Sequence, residues 1–125
     1  MIKGYVDEDL LPVVDIEVRG KDRLLRQIPA LLDTGCSVSL LLPAYLLRRL
    51  GLESEGETDI RPVDGNPITV PTCKVTIRWD GEVFEVEAIE IDNDSSFPIV
   101  GIQLCQDRKI TIEMRTNGEV LVERM

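Results

Sequence analysis

The sequence predicts a mainly β single domain with one short helix, and three observations carry that expectation. Apolar residues make up 43% of the chain, yet it holds only two Phe, two Tyr and one Trp, so its core has to be aliphatic, built on Leu, Ile and Val. Tight-turn dipeptides, Asp64-Gly65, Asp80-Gly81 and Asn117-Gly118, each stand between β-prone runs. Only one segment, Pro43 to Leu50, is punctuated as a helix. At 125 residues the chain fits one domain, residues 1–125, large enough to bury a core without disulfide staples.

Taken in order, apolar and polar residues alternate from Val14 to Val18, which predicts a half-buried strand. Gly20-Lys21-Asp22 supplies a turn, and a second strand starting at Arg23 returns through Ile28 toward Asp33. Pro43 at the first helical position and Gly51 just past Leu50 bracket a short helix with apolar residues at Leu46, Leu47 and Leu50. Glu53 to Glu57 reads as an acidic, solvated loop. Ile60 to Val63 and Ile68 to Val70 flank Asp64-Gly65-Asn66-Pro67 and predict a projecting hairpin.

Cys73 to Trp79 and Glu82 to Ile91 form the clearest hairpin, with Asp80-Gly81 suited to a type I′ turn. Val75, Ile77 and Trp79 share one face. Lys74 and Arg78 on the other are expected to pair with the glutamates at 82, 85, 87 and 90. Asp92 to Ser96 is a polar connector; it contains a glycosylation sequon at Asn93 but lacks the spaced ligands and closing Glu of a calcium loop. Lys109 to Met114 and Glu119 to Val122 are strands around Thr116-Asn117-Gly118.

Composition excludes several kinds of chemistry. A net charge of −9 argues against a nucleic-acid partner, because phosphate binding draws its affinity from Lys and Arg. The absence of His removes Ser-His-Asp and Cys-His catalysis together with the usual zinc ligands. Cys36, Cys73 and Cys105 form no close pair, so reduced, buried thiols are expected, with no metal centre and no cofactor. No apolar run reaches the length of a signal peptide core or a membrane span, which makes a cytoplasmic protein with no membrane association the expectation. Any hydrolytic chemistry falls to carboxylates.

One stretch is built to present a carboxylate. Leu31-Leu32-Asp33-Thr34-Gly35-Cys36-Ser37 runs an apolar strand end into an acid, then turns sharply through small residues. This run resembles the active-site loop of aspartic proteases. Phe97-Pro98-Ile99-Val100-Gly101 resembles the apolar-apolar-Gly strand found late in their single-lobed, retroviral-type (retropepsin-like) members. A helix, a Gly-containing hairpin tip and a strand pair lie between the two in the family's order, and the resemblance covers roughly Val13 to Val122.

The resemblance implies a closed, barrel-like acid-protease lobe with a flap hairpin, acting on peptide or protein substrates. Its chemistry needs two carboxylates close enough to share a proton, so that one takes a proton from water while the other donates to the scissile carbonyl. This chain has one Asp-Thr-Gly, so the catalytic Asp33 implies a homodimer with a second Asp33 across a two-fold axis. Thr34 is implied to hydrogen-bond across that axis, and Gly35 to allow close approach. Cys36 and Ser37 complete the loop, Ile99, Val100 and Gly101 support it from behind, and Asp64, Gly65 and Asn66 form the tip of the flap over an extended substrate. Cys36 stands where Ala or Ser is usual, and Gln103 where many relatives carry Asp or Asn, which implies rearranged hydrogen bonds there. Two other readings stay open: a non-catalytic peptide-binding or dimerisation module with the same fold, and a β domain in which Asp-Thr-Gly is only turn chemistry.

Overall fold

The computed structural model describes residues 1–62, 64–92 and 96–125. The Asn93 sequon and most of its connector, like Val63 beside the Asp64-Gly65 turn, lie outside the described residues. The chain starts with a strand that its sequence pattern does not announce, β1 (Ile2–Val6). Gly4 makes it possible, since a Cβ there would stand 2.0 Å from the Val13 carbonyl oxygen of the adjacent strand.

Strand β2 (Pro12–Arg19) buries Val14, Ile16 and Val18 on one face, as the alternation requires. It pairs antiparallel with β3 (Leu25–Leu32) from Arg19↔Leu25 to Val13↔Leu31. Pro29 is tolerated within β3 because the far side of that strand is paired only at Leu31 and Leu32, leaving no ladder donor missing. β4 (Leu40–Pro43) follows the Asp33 loop and leads into helix α1 (Ala44–Leu50). Pro43 is extended (ψ 147°) and serves as the N-cap residue, one position earlier than its sequence placement, while Gly51 closes the helix in the left-handed region at φ 71°.

The acidic stretch after the helix is only partly loop, since its Gly56 and Glu57 begin strand β5 (Gly56–Ile60). That strand pairs with the first part of β6 (Ile68–Trp79), which continues into a long hairpin with β7 (Glu82–Ile91). Asp80 and Gly81 have φ of 51° and 81°, the two positive values a type I′ turn needs. Val75, Ile77 and Trp79 are all buried on one face. Of the ion pairs expected across this hairpin, none forms among the described residues: Lys74 stands opposite Glu87 in register without a close ion pair, and Arg78 and Glu82 find other partners. The register sets Arg78 opposite Val83, so its guanidinium pairs with Glu17 of β2 at 2.9 Å, and Glu82 pairs with Arg124 at 2.6 Å.

After β8 (Ile99–Val100) comes a 3-10 turn, Ile102–Cys105, and the chain ends in the hairpin of β9 (Arg108–Ile112) and β10 (Glu119–Arg124). All strands join one ten-stranded sheet. Within it β2, β3, β8, β4, β7 and β6 are neighbours in that order, and β6 pairs back onto β2 at Glu17↔Arg78 and Val18↔Ile77. The sheet therefore closes into a ring around an aliphatic core that includes Ile16, Leu40, Leu42, Leu47, Ile77 and Val100. Trp79 is the one large aromatic at its centre, and its indole N–H donates to the Leu104 carbonyl at 2.8 Å. No helix among the described residues is long and apolar enough to cross a membrane.

Asp80 ties the β6–β7 turn to the chain start and to β9 and β10. Its side chain is only 3% exposed and accepts from the α-amino group of Met1, from Arg124 Nε at 3.2 Å and from Arg108 Nε at 3.4 Å. The ammonium hydrogen bond, followed by the two guanidinium groups, outweighs the burial penalty and holds the carboxyl below its usual range. A depressed folded-state pKa means that the stabilisation is complete above about pH 4, the unfolded value, and is lost as pH falls through the folded value. Asp80→Asn is expected to cost about 1 to 2 kcal/mol at pH 7, because it removes the charge facing the largely buried Arg108, whereas Met1 and Arg124, about half exposed, are resolvated without it. Thermal melts of both proteins should show that gap narrowing below about pH 4; a gap independent of pH would mean that the carboxylate charge contributes nothing.

Candidate active site

Three strands converge beneath Asp33. β3 delivers the acid, β4 carries the chain away, and β8 is inserted between them, parallel to β3 (Leu31↔Ile99, Leu32↔Val100) and antiparallel to β4 (Leu40↔Val100, Leu41↔Ile99). Val100 is fully buried there and its carbonyl accepts from Asp33 N–H at 3.0 Å. The turn is closed by Cys36 N–H donating to the Asp33 carbonyl at 3.1 Å, while Gly35 N–H donates to Asp33 Oδ1 at 2.9 Å. This last bond orients the carboxylate. Asp33, Thr34 and Gly35 are all exposed, so the loop presents its acid outward from a rigid seat.

The two glycines act through space rather than through backbone dihedral. Neither Gly35 nor Gly101 has a positive φ. A Cβ on Gly35 would lie 3.2 Å from Asp33 Oδ1, and one on Gly101 would lie 1.8 Å from the Val38 carbonyl oxygen. Gly101 N–H donates to Ser39 O and Ile102 N–H to Cys36 O, both at 2.9 Å, so the segment after β8 is sewn onto the returning limb of the loop.

Gln103 completes this seam, and its rearranged bonds support the loop. Its Nε2 donates to the Ser37 carbonyl at 2.9 Å and its Oε1 accepts from Ser39 Oγ at 3.0 Å. Because Ser37 O needs a donor, Gln103→Glu should loosen the loop at neutral pH, whereas a protonated Glu restores an O–H donor. Amide hydrogen exchange at Asp33 and Cys36 is expected to be faster than in the parent protein at pH 7 and to approach the parent's as pH falls through about 4, the ordinary Glu range. Equal protection at pH 7 would show that the brace is dispensable.

Cys36 is half-buried beside Asp33, in contrast to the expectation of three buried thiols; Cys73 and Cys105 are buried. Burial pushes the thiol pKa of both up, which leaves them unreactive. Asp64, Gly65 and Asn66, expected at a flap tip, are exposed at the end of the β5–β6 hairpin. Gly65 has φ 87° and nothing within 4 Å of its would-be Cβ, and Asn66 N–H donates to Asp64 Oδ1 at 3.2 Å. Among the described residues no group of three or more His, Cys, Asp or Glu side chains is placed to hold a metal ion. The signals that sequence reasoning missed are β1 and the Gln103 bonds; the first is a five-residue strand interrupted by glycine, and the second depends on contacts 64 and 66 residues apart.

A closed sheet ring, an acid presented at the end of β3, and an apolar-apolar-Gly strand wedged behind it define the retropepsin-like fold of single-lobed aspartic proteases. Solved structures agree. A retropepsin-like aspartic protease from Rickettsia conorii superposes with a TM-score of 0.66 at 15% identity, covering 98% of this chain and 89% of that one. EIAV protease, in complex with an inhibitor, gives 0.57 at 24% identity, covering 78% of this chain and 86% of that one. At these identities the likeness is one of fold. No family model matches the sequence, and no curated protein matches it.

Proposed function

We propose that the protein is an aspartic endopeptidase that acts as a homodimer on extended polypeptides, with one Asp33 from each protomer. The observation that carries this reading is the outward presentation of a single Asp33 from a braced loop in a retropepsin-like lobe. A lone carboxylate has no acid to work with; two Asp33 side chains across a two-fold axis supply one acid and one base. The ionised member takes a proton from water as that water attacks the scissile carbonyl. The neutral member donates to the carbonyl oxygen, and the resulting tetrahedral species collapses with proton transfer to the leaving amine.

In this reading Thr34 hydrogen-bonds across the axis, while Cys36, Ser37, Ile99, Val100 and Gly101 hold the loop. Asp64, Gly65 and Asn66 close over a substrate bound as an added strand. The setting is cytoplasmic, in keeping with three cysteines that form no disulfide. Purified protein incubated with a diverse unstructured peptide library from acidic to neutral pH should cleave it, and sedimentation should give a dimer. A folded dimer that cleaves nothing at any pH would favour a peptide-binding module; a strict monomer would leave the enzyme without its second acid.

A further inference from the structure

The chain carries 23 acidic and 14 basic residues, yet one hollow reverses that balance. It has a volume of about 450 Å³ and is lined by Lys21, Asp22, Arg26, Arg48, Arg49, Leu50 and Gly51. Four cations and one acid meet there. They come from separate elements: Lys21 and Asp22 from the β2–β3 turn, Arg26 from β3, and Arg48 and Arg49 from the last turn of α1. The turn and the helix end are locked together by Lys21 N–H donating to the Leu50 carbonyl at 2.9 Å.

Part of this charge has an internal use. Asp22 takes both arms of Arg26, at 2.9 and 2.5 Å, and Arg49 lies over the Tyr45 ring at 5.7 Å. Basic residues in the last turn also suit the negative end of a helix. These roles leave a surplus. Among the described residues Lys21, Arg48 and Arg49 make no ion pair, and Glu53 and Glu55 line an adjoining hollow that shares Lys21 and Gly51 with this one. Exposed guanidinium forks around a shallow, open hollow match the geometry of carboxylates.

We propose that this hollow is a docking site for a Glu/Asp-rich segment of the polypeptide substrate, remote from the bond that is cut. For the identity of its ligand as substrate, though not for its binding step, the site rests on the endopeptidase reading. β3 runs from the hollow to Asp33 and is eight residues long, roughly 25 Å at about 3.3 Å per residue. A chain engaging both places needs at least about eight extended residues between its acidic segment and its scissile bond.

The test uses the full chain with Asp33→Asn, so that binding is read without turnover. Fluorescence anisotropy compares a labelled Glu/Asp-rich peptide with a Ser/Gly peptide of the same length. The acidic peptide is expected to bind, to weaken with added salt, and to lose about tenfold or more in affinity when Arg48→Glu and Arg49→Glu are combined. Arg48→Lys with Arg49→Lys, which keeps the charge and removes the forks, should fall between. Equal binding of the neutral peptide, or affinity untouched by charge reversal in a still-folded protein, overturns the proposal. So does a charge reversal that changes only self-association, since the occupant is then a second copy. In wild-type protein an acidic segment placed at the stated distance should lower KM with kcat unchanged. Binding without cleavage of any substrate would sink the endopeptidase reading alone, whereas cleavage indifferent to the acidic segment would sink the docking site alone.

Discussion

Asp33→Asn is expected to abolish peptide cleavage, with a loss of at least about 10³-fold, while leaving the fold and the dimer in place. Asn matches Asp in size, and its Oδ1 can still accept the Gly35 N–H that orients the side chain at 2.9 Å. What it lacks is a carboxyl group that can take and give a proton, and general acid and base steps are worth about 10²- to 10⁴-fold each. In the proposed dimer, where one acid donates while the other accepts, the parent activity should fall on both sides of a pH optimum. Mixing offers a sharper check. If one substituted protomer inactivates a pair, equal amounts of exchanged parent and Asp33→Asn chains at constant total protein should retain about a quarter of the activity, against about half for independent monomers. Retention of half would remove the shared dyad from the mechanism.

Gly101→Ala is the substitution with the largest expected effect on structure. Its methyl would have to sit 1.8 Å from Val38 O and 2.8 Å from Val38 C, both backbone atoms of the loop's returning limb. Backbone cannot rotate aside as a side-chain end can, so either β8 or the Asp33 loop must move. A cost of about 3 kcal/mol or more is expected, at the upper end for overpacking, lowering Tm by roughly 10 °C or more. Gly65→Ala is the matched control. It meets nothing within 4 Å and pays only for its φ of 87°, about 1 kcal/mol. Calorimetry showing equal losses for the two would mean that the seat behind Asp33 yields easily.

Much of this was legible because it is written in short-range chemistry. Alternation placed β2, Asp80-Gly81 placed the β6–β7 turn, and Pro43 with Gly51 placed α1 to within one residue, whereas Asp64-Gly65 falls inside a longer connection because β5 ends at Ile60, paired with Ile68. Strand β1 and the 3-10 turn carry no such signal. Ile2–Val6 is a strand because Gly4 lets it lie against Val13 and because β10 offers a partner more than a hundred residues away. The hairpin ion pairs failed for a related reason: closing the sheet brought Glu17 and Arg124 within reach of Arg78 and Glu82.

The sequence by itself determined that the chain is a mainly β domain with an aliphatic core, that its hydrolytic candidates are carboxylates, and that Asp33 ends a strand in a tight turn. Those facts depend on residue types and on spacings of a few residues. Only the tertiary structure decided how the acid is held. β8 enters between β3 and β4, Gly101 fits against Val38, and Gln103 bridges Ser37 and Ser39, all across 58 to 68 residues of chain. It also decided that cations from a turn, a strand and a helix end share one hollow on an acidic protein. Such contacts are products of sheet closure, which brings distant residues to bonding distance without leaving a local pattern in the sequence.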